Sequence, residues 1–197
     1  MDLSVLIEPK VDLERLSEVL DGFGHEGRVH TTRHWDKKKM AAIFDACDGF
    51  RPFTLDDLVP PSIGPLTEVI HDLKNSLPAF SVSQKRFCRP TDPAAHPDKL
   101  WGYNHTPDFQ TSFHGPGYFV AKPSEKAGEV NVDYKELPPE KPASWPKIED
   151  NTGVGGLVYG NMLDRMRKIS THVSIGRAER NGKIMDAWFV LVRRDVS

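Results

Sequence analysis

The chain has 197 residues, of which 38% are hydrophobic and 27% charged, and its formal net charge is −2. This length is enough to bury one substantial core, which favours a single domain over residues 1–197. A charge so close to zero gives no general reason to expect a nucleic-acid or anionic-membrane partner, and we predict neither.

Residues 1–78 are predicted to be mainly helical. Apolar residues recur at helical spacing in three segments, 11–20, 36–46 and 66–77. Between the first two, residues 24–33 are polar and rich in histidine and threonine, which indicates a loop or a short strand. Thr54 begins a helix-cap pattern, but Pro60 and Pro61 end any helix soon afterwards.

Residues 79–197 are predicted to form mainly an antiparallel sheet, with one helix near 160–169. Alternating and β-branched patterns indicate strands at 80–84, 117–122 and 129–134. The segment 137–146 contains four prolines and a tryptophan, and we interpret it as a constrained, extended surface segment.

A hairpin is predicted near the end of the chain. Asn181-Gly182 joins two apolar runs, 173–180 and 183–192, and this dipeptide is a strong hairpin signal because both turn residues must adopt positive φ. A two-residue turn fixes the register of the strands. Counting back from the turn places Ile175 opposite Trp188.

The other face of this hairpin carries small side chains: Ser174, Gly176 and Ala178. Small side chains leave room for a helix or a ligand to lie close to the sheet. A helix is available upstream, because apolar residues recur there at three- and four-residue spacing. They are Tyr159, Met162, Leu163, Met166 and Ile169.

These elements predict an α+β fold in which N-terminal helices precede an antiparallel sheet of about five to seven strands. Strongly twisted sheets of that size curl readily. We therefore expect a strongly curved or barrel-like, calycin-like sheet.

Four short motifs resemble the C-terminal part of a small bacterial family of unknown function. They are Tyr159, Asp164-Arg-Met-Arg167, Val173-Ser-Ile-Gly176 and Trp188-Phe-Val-Leu-Val-Arg193. Members of that family begin with a Gly-x-Trp-x-Gly segment and end in a lipocalin-like region, whereas this chain has Val59-Pro-Pro-Ser-Ile-Gly64 in place of that segment. Over residues 157–193 the resemblance implies a cup-shaped barrel, and it implies no activity and no catalytic residue.

The eight histidines show no spacing typical of a zinc hydrolase, so no metal site is predicted, and the sequence leaves any cofactor unknown. His114 and His172 each precede a predicted strand. Strand ends form the mouth of a barrel, and loop residues there often carry function. Because imidazole suits proton transfer, both are candidate general acids or bases. The alternative is an ordinary surface or hydrogen-bonded histidine.

Five further residues are candidate ligand contacts: Tyr118, Tyr159, Arg167, Gly176 and Trp188. Aromatic walls with a few polar groups are typical of pockets for apolar molecules. The small side chain at Gly176 leaves space beside them. The alternative for the aromatic residues is a place in the packed core.

We therefore predict that the protein binds a small hydrophobic or aromatic molecule in a barrel or cup. One alternative is a cofactor-independent isomerase, cyclase or dehydratase, in which Arg167 or a tyrosine polarises a carbonyl group. The other is a protein–protein interaction module that docks a partner, or a second copy as a homodimer, through segment 137–146 and the helices.

Cys47 and Cys88 form no Cys-x-x-Cys pair, and the start of the chain lacks the basic and apolar regions of a signal peptide. No run approaches the ~18 apolar residues of a membrane span. These features predict a cytoplasmic protein. Arg86 and Arg89 lie close to Cys88 in sequence and would lower the pKa of its thiol. Cys88 also follows a predicted strand, and we favour the interpretation that it is simply buried.

Overall fold

The computed structural model describes residues 3–77, 81–106, 115–150, 156 and 158–195. Within these ranges, a 3₁₀ turn at Ser4–Leu6 precedes four helices, α1 (Leu13–Asp21), α2 (His25–Arg33), α3 (Lys37–Ala46) and α4 (Leu55–Leu58). Eight strands follow: β1 (Val69–Asn75), β2 (Val82–Cys88), β3 (Leu100–His105), β4 (Tyr118–Pro123), β5 (Val130–Asp133), β6 (Met162–Lys168), β7 (Val173–Arg180) and β8 (Lys183–Arg193). None of the described helices is long and apolar enough to cross a bilayer.

The eight strands form a closed antiparallel barrel. Each strand pairs with the next along the chain, and β8 pairs with β1, for example Leu191 with Leu73. Closure leaves no strand edge unpaired. The predicted α+β fold with a barrel-like antiparallel sheet is confirmed, with more strands than the expected five to seven.

One end of the barrel is packed and closed by α4. Leu55 and Leu58 of this short helix join the apolar interior cluster. The Arg193 guanidinium donates a hydrogen bond to the Asp57 carbonyl at 2.9 Å, and His71 Nε2 lies 2.9 Å from the Leu58 carbonyl oxygen. The C-terminal ends of β6 and β8 therefore lie at the closed end.

The remaining helices cover the outer wall of β7 and β8. Leu16 of α1 and Ile43 of α3 are fully buried there, in one cluster with Ile175 and Val190. This is the hairpin face that the sequence predicted to carry the large apolar pairs. The helices therefore bury the outside of the barrel and leave its interior to the strands.

A second outer cluster covers β3 and β4. Tyr118 packs there with the ring of Trp145 and donates its hydroxyl to the Pro146 carbonyl at 2.6 Å. Trp145 Nε1 donates to a Glu68 carboxylate oxygen at 2.6 Å. Segment 137–146 is thus held against the barrel wall by its tryptophan and is not a free docking strip.

The Asn181-Gly182 turn is confirmed, with φ of 52° and 74°. The predicted register is confirmed for the Arg180–Lys183 and Glu179–Ile184 pairs next to the turn. It is wrong further along the strands, because Ile175 lies opposite Val190 and not Trp188. The pairing is irregular between the Glu179–Ile184 pair and the Arg177–Trp188 pair. These pairs are two residues apart along β7 and four residues apart along β8, so the register shifts by two residues. A slip of two residues preserves the side-chain alternation. The small-residue face therefore stays on one side of the sheet, and that side is the barrel interior.

Two predicted helices are strands. Residues 162–168 form β6, in which Asp164 and Met166 point inward, and residues 69–75 form β1, in which His71 and Leu73 point inward. Both segments are short, and the spacing of their apolar residues fits the period of a helix as well as that of a strand. Each segment pairs with one strand on either side, and this pairing decides for the extended form.

Residues 25–33 form a helix, α2, where a loop or strand was expected. Its sequence is polar, so tertiary contacts hold it in place. The buried Arg28 pairs with Asp195 at 3.0 Å, and His25 lies 2.9 Å from Asp72 of β1.

Strand β3 was not predicted. Its outward residues Trp101 and Tyr103 are as buried as the inward Leu100, so the segment does not show the alternation of apolar and polar residues that indicates a strand.

Candidate functional site

A cavity of about 350 Å³ lies inside the barrel at the end away from α4. It is bordered by the C-terminal ends of β1 and β7 and by the N-terminal ends of β2, β6 and β8. Most of its wall is apolar and includes Leu73, Leu77, Val158, Tyr159, Met162, Ala178, Met185, Ala187 and Phe189. The barrel therefore has one filled half and one hollow half, a geometry compatible with a ligand-binding cup.

Small inward residues account for the hollow half. Ala178 and Ala187 line the cavity. Gly176, the next inward residue of β7, lies under the Phe189 ring so closely that a Cβ there would come within 2.2 Å of Phe189 Cζ. The small-residue face thus receives no helix, and it leaves the cavity open above the Phe189 ring.

Four polar side chains form the floor of the cavity: Lys85, Asn104, Tyr134 and Asp164. The side chains of Lys85 and Asp164 are 3% and 4% exposed, and Lys85 Nζ lies 3.0 Å from Asp164 Oδ2. The ammonium also donates to Asn104 Oδ1 at 3.0 Å and to the Tyr134 hydroxyl. We call these four residues the lysine cluster.

The lysine cluster is tied together internally. The Tyr134 hydroxyl lies 3.2 Å from Asp164 Oδ2 and donates a hydrogen bond to it. Asn104 Nδ2 donates to the Gly117 carbonyl at 3.1 Å. This hydrogen bond leaves Asn104 Oδ1 as the amide atom that faces Lys85. Each of the three ammonium hydrogens therefore has an acceptor, as a buried cation requires.

Strand alternation puts Lys85 at the boundary between cavity and core. On the inward face of β2, Ser83 lines the cavity and Phe87 is part of the packed core, with Lys85 between them. Lys85 Nζ also lies about 5 Å from the ring centres of Phe119 and Phe189. The amine thus has aromatic rings as well as oxygen atoms among its near neighbours.

Burial controls the electrostatics of this floor. It lowers the pKa of Lys85, and the nearby Asp164 carboxylate opposes this without cancelling it. Burial also raises the pKa of Tyr134 well above its ordinary value, and the Asp164 charge adds to the effect. Tyr134 is therefore a neutral hydroxyl at all ordinary pH values, while the Lys85 ammonium is easier to deprotonate than a surface lysine.

Tyr159 and Arg180 lie nearer the mouth. The Tyr159 ring stacks on Tyr134 with ring centres 5.5 Å apart, and burial raises its pKa. The Arg180 guanidinium donates to the Val158 carbonyl at 2.6 Å, which ties the end of β7 to the segment that carries Tyr159. The cavity wall is therefore held on this side by both stacking and hydrogen bonding.

Two of the five ligand contacts expected from the sequence line the cavity. Tyr159 does so as described above, and Trp188 borders the cavity while it also belongs to the outer cluster under the helices. Gly176 faces the interior beneath Phe189. The structure brings these three to one half of the barrel.

The other two expected ligand contacts point away from the cavity. Tyr118 is buried in the outer cluster around Trp145. Arg167 pairs with Glu129 at 2.8 Å and donates to the Phe44 carbonyl at 2.8 Å, which joins the barrel wall to α3. The structure gives both residues packing partners outside the barrel.

Of the two candidate histidines, the structure describes His172. His172 lies in the turn before β7, at the closed end of the barrel, with Nδ1 3.4 Å from Asp195 Oδ1. Burial lowers its pKa, and the charges of Arg28 and Arg193 add to the effect. His114 lies outside the described residues, so its role stays a prediction.

Sequence reasoning missed the lysine cluster, although a signal was present. Lys85 alternates with Phe87, and Asp164 alternates with Met162 and Met166. A charge in the middle of an apolar strand face is uncommon and costly. Two such charges of opposite sign indicate a buried pair, provided that both segments are recognised as strands.

Both cysteines lie in the interior of the protein. Cys47 and Cys88 are free and buried, and burial raises the pKa of each thiol to about 12. The preferred interpretation of Cys88 as a buried residue is confirmed. Within the described ranges, no group of three His, Cys, Asp or Glu side chains is arranged to hold a metal ion.

Comparisons of the chain with protein-family models, curated proteins and solved structures gave no match. The assignment of function therefore depends on the geometry of the cavity and its lysine cluster.

Proposed function

We propose that the protein binds a small, mainly hydrophobic or aromatic molecule in the hollow half of the barrel. The observation that carries the proposal is a cavity of about 350 Å³ whose wall is mostly apolar and whose floor is polar. Pockets for small organic molecules have this size and this division of surface. An apolar body would contact Leu73, Met162 and Phe189, and a single polar end would reach the lysine cluster.

The floor favours a ligand with a hydrogen-bonding oxygen over a pure hydrocarbon. Lys85, Asn104 and Tyr134 hold donor hydrogens within one small volume. These hydrogens are donated within the cluster and to the Gly117 carbonyl, so a ligand oxygen would take over one of them from its present acceptor. A few polar groups in an otherwise apolar pocket fix the orientation of a bound molecule. The ligand we propose is therefore apolar over most of its length and oxygenated at its inner end.

The experiment is a titration with N-phenyl-1-naphthylamine, a neutral probe whose fluorescence rises in apolar surroundings. Ala187→Phe places a ring in the cavity, because Ala187 points inward from β8 and lines the wall. Ala127→Phe is the matched control, since Ala127 lies exposed in the turn between β4 and β5. We expect saturable binding to the parent protein and to Ala127→Phe, and at least ~tenfold weaker binding to Ala187→Phe, or about 1.4 kcal/mol.

Thermal unfolding without probe shows whether Ala187→Phe still folds. Filling a cavity is expected to leave the Tm unchanged or to raise it. Equal affinity of both variants for the probe would place binding on the protein surface and would overturn the proposal.

The cytoplasmic location and the family resemblance stay proposals. Two free, buried thiols support a reducing compartment. Tyr159 and Asp164, which carry part of the resemblance, both line the cavity. The packing of Trp145 against the barrel gives the interaction-module alternative no support from segment 137–146.

A further inference from the structure

Lys85 is the one primary amine among the described residues that line the cavity. It lies at the floor, 3.0 Å from the Asp164 carboxylate, with its side chain 3% exposed. A ligand that filled the cavity would have its inner end against this nitrogen. The arrangement places a nucleophile, a carboxylate and a hydroxyl within hydrogen-bond distance of one another at the end of an apolar pocket.

A purely structural role explains this arrangement poorly. Apolar residues of similar volume in place of a buried ion pair often leave a protein as stable, or make it more stable. The other half of this barrel is filled in that way, by Phe87, Leu100 and Phe119. The charged pair occurs where the packed core ends and the cavity begins, which is the position where a ligand would meet it.

We propose that Lys85 forms an imine with the carbonyl group of an aldehyde or ketone ligand. This inference rests on the proposed function, because the ligand must first enter the cavity. It makes the polar end of that ligand a carbonyl group, and it makes Asp164 the proton carrier and counter-ion.

The reaction balances without an oxidant or a reductant. The Lys85 ammonium gives a proton to Asp164, and the protonated carboxyl turns its hydrogen to the Tyr134 hydroxyl, 3.2 Å away. The nitrogen lone pair then attacks the carbonyl carbon, and the carbonyl π pair moves to oxygen, which takes a proton from nitrogen. Asp164 returns its proton to this hydroxyl group as water leaves and the C=N bond forms. The product is a protonated imine beside the Asp164 carboxylate, plus one water.

The surroundings of Lys85 favour each part of this sequence. Burial lowers the pKa of Lys85, which increases the fraction of neutral amine, the form that attacks a carbonyl group. Tyr134 stays neutral because burial raises its pKa, so its hydroxyl can donate to the carbonyl oxygen. The apolar wall limits the access of bulk water, which would otherwise hydrolyse the imine.

The test uses 2-naphthaldehyde as the carbonyl probe and sodium cyanoborohydride as the trapping reductant. Peptide mass mapping of the wild-type protein then shows which lysines carry a naphthylmethyl group. Lys183, exposed at the tip of the hairpin, is the internal reference. We expect Lys85 to be labelled at least ~tenfold faster than Lys183, because an aldehyde bound in the cavity is held against the Lys85 amine, whereas it meets Lys183 only by diffusion.

Binding is measured separately with 2-naphthalenemethanol, which has the same ring system and no carbonyl group. Lys85→Arg keeps a cation beside Asp164 and removes the primary amine. We expect this variant to retain binding of the alcohol and to lose the fast labelling. Because the mapping is carried out on wild-type protein, the result stands even if Lys85→Arg does not fold.

Two outcomes would overturn the inference in different ways. If the wild-type protein binds the alcohol but the aldehyde labels only exposed lysines, the imine is wrong and the proposed function survives. If neither the alcohol binds nor Lys85 is labelled, both proposals fail.

Discussion

His71 is a buried histidine at the closed end of the barrel, and its environment makes it a source of acid sensitivity. Nε2 lies 2.9 Å from the Leu58 carbonyl oxygen and therefore carries a hydrogen. Nδ1 is buried and has no hydrogen-bond partner among the described residues. A second proton would lie on this nitrogen without an acceptor, near the Arg193 charge. Burial is the largest cause that lowers the pKa of His71 from 6.5 to about 3, and Arg193 and His172 add to it, although the Leu58 hydrogen bond and Asp72 oppose it.

The sign of the pH effect follows from proton binding. The unfolded chain binds a proton at this histidine below pH 6.5, and the folded protein does not until about pH 3. Stability therefore falls as the pH is lowered through this window. The amide of a glutamine at position 71 can still donate to the Leu58 carbonyl. When the pH is lowered from 7 to 5, we predict that His71→Gln loses about 2 kcal/mol less unfolding free energy than the wild type.

Urea unfolding at pH 7 and pH 5 measures this effect. His30→Gln is the control, because His30 is exposed on α2. It is expected to keep the wild-type loss of stability. An equal loss in His71→Gln and wild type would contradict the assigned role of His71.

The β7–β8 hairpin contains two glycines that are required for different reasons. Gly182 has φ of 74°, and a Cβ there would meet nothing within 4 Å. Gly176 has an ordinary φ, but a Cβ there would come within 2.2 Å of the Phe189 ring. The first glycine is needed by the backbone and the second by packing.

Alanine substitutions should separate these two requirements. Gly182→Ala is expected to cost about 1 to 2 kcal/mol, from the left-handed conformation alone, and to leave binding in the cavity unchanged. Gly176→Ala is expected to cost about 1 to 3 kcal/mol through overpacking. It should also weaken N-phenyl-1-naphthylamine binding, because the displaced Phe189 ring moves into the cavity that it lines. Urea unfolding and probe titration of both variants test this, and weaker binding by Gly182→Ala would contradict it.

At the scale of the whole molecule, stability and the proposed binding depend on different parts of the fold. Leu16 is fully buried between the helices and the outside of β7 and β8. The cavity lies on the inner side of the same strands. The barrel wall separates the two regions.

We therefore predict that Leu16→Ala costs about 2 to 5 kcal/mol of unfolding free energy, the usual range for a buried leucine. Its affinity for N-phenyl-1-naphthylamine should equal that of the wild type at temperatures where both are folded. The midpoint in urea and the probe titration measure the two effects. A loss of affinity parallel to the loss of stability would show that the helices also support the cavity.

Several features of this protein could be predicted from the sequence, because they depend on neighbouring residues. Asn181-Gly182 specifies its turn through positive φ, and helical spacing at 11–20 and 36–46 identified α1 and α3. The small face of β7 was also visible, since strand alternation alone assigns Ser174, Gly176 and Ala178 to one side. The curvature followed from the twist of a large antiparallel sheet.

The tertiary structure decided the remaining features. Strand pairing on both sides made 69–75 and 162–168 extended where their spacing also fitted a helix. The salt bridge from Arg28 to Asp195 and the pair of His25 with Asp72 hold a polar segment as α2. Closure of the barrel brought Lys85 of β2 and Asp164 of β6 to 3.0 Å. Local sequence carries no information about such a distance, because it depends on which strands surround a shared interior, and the candidate site follows from that closure.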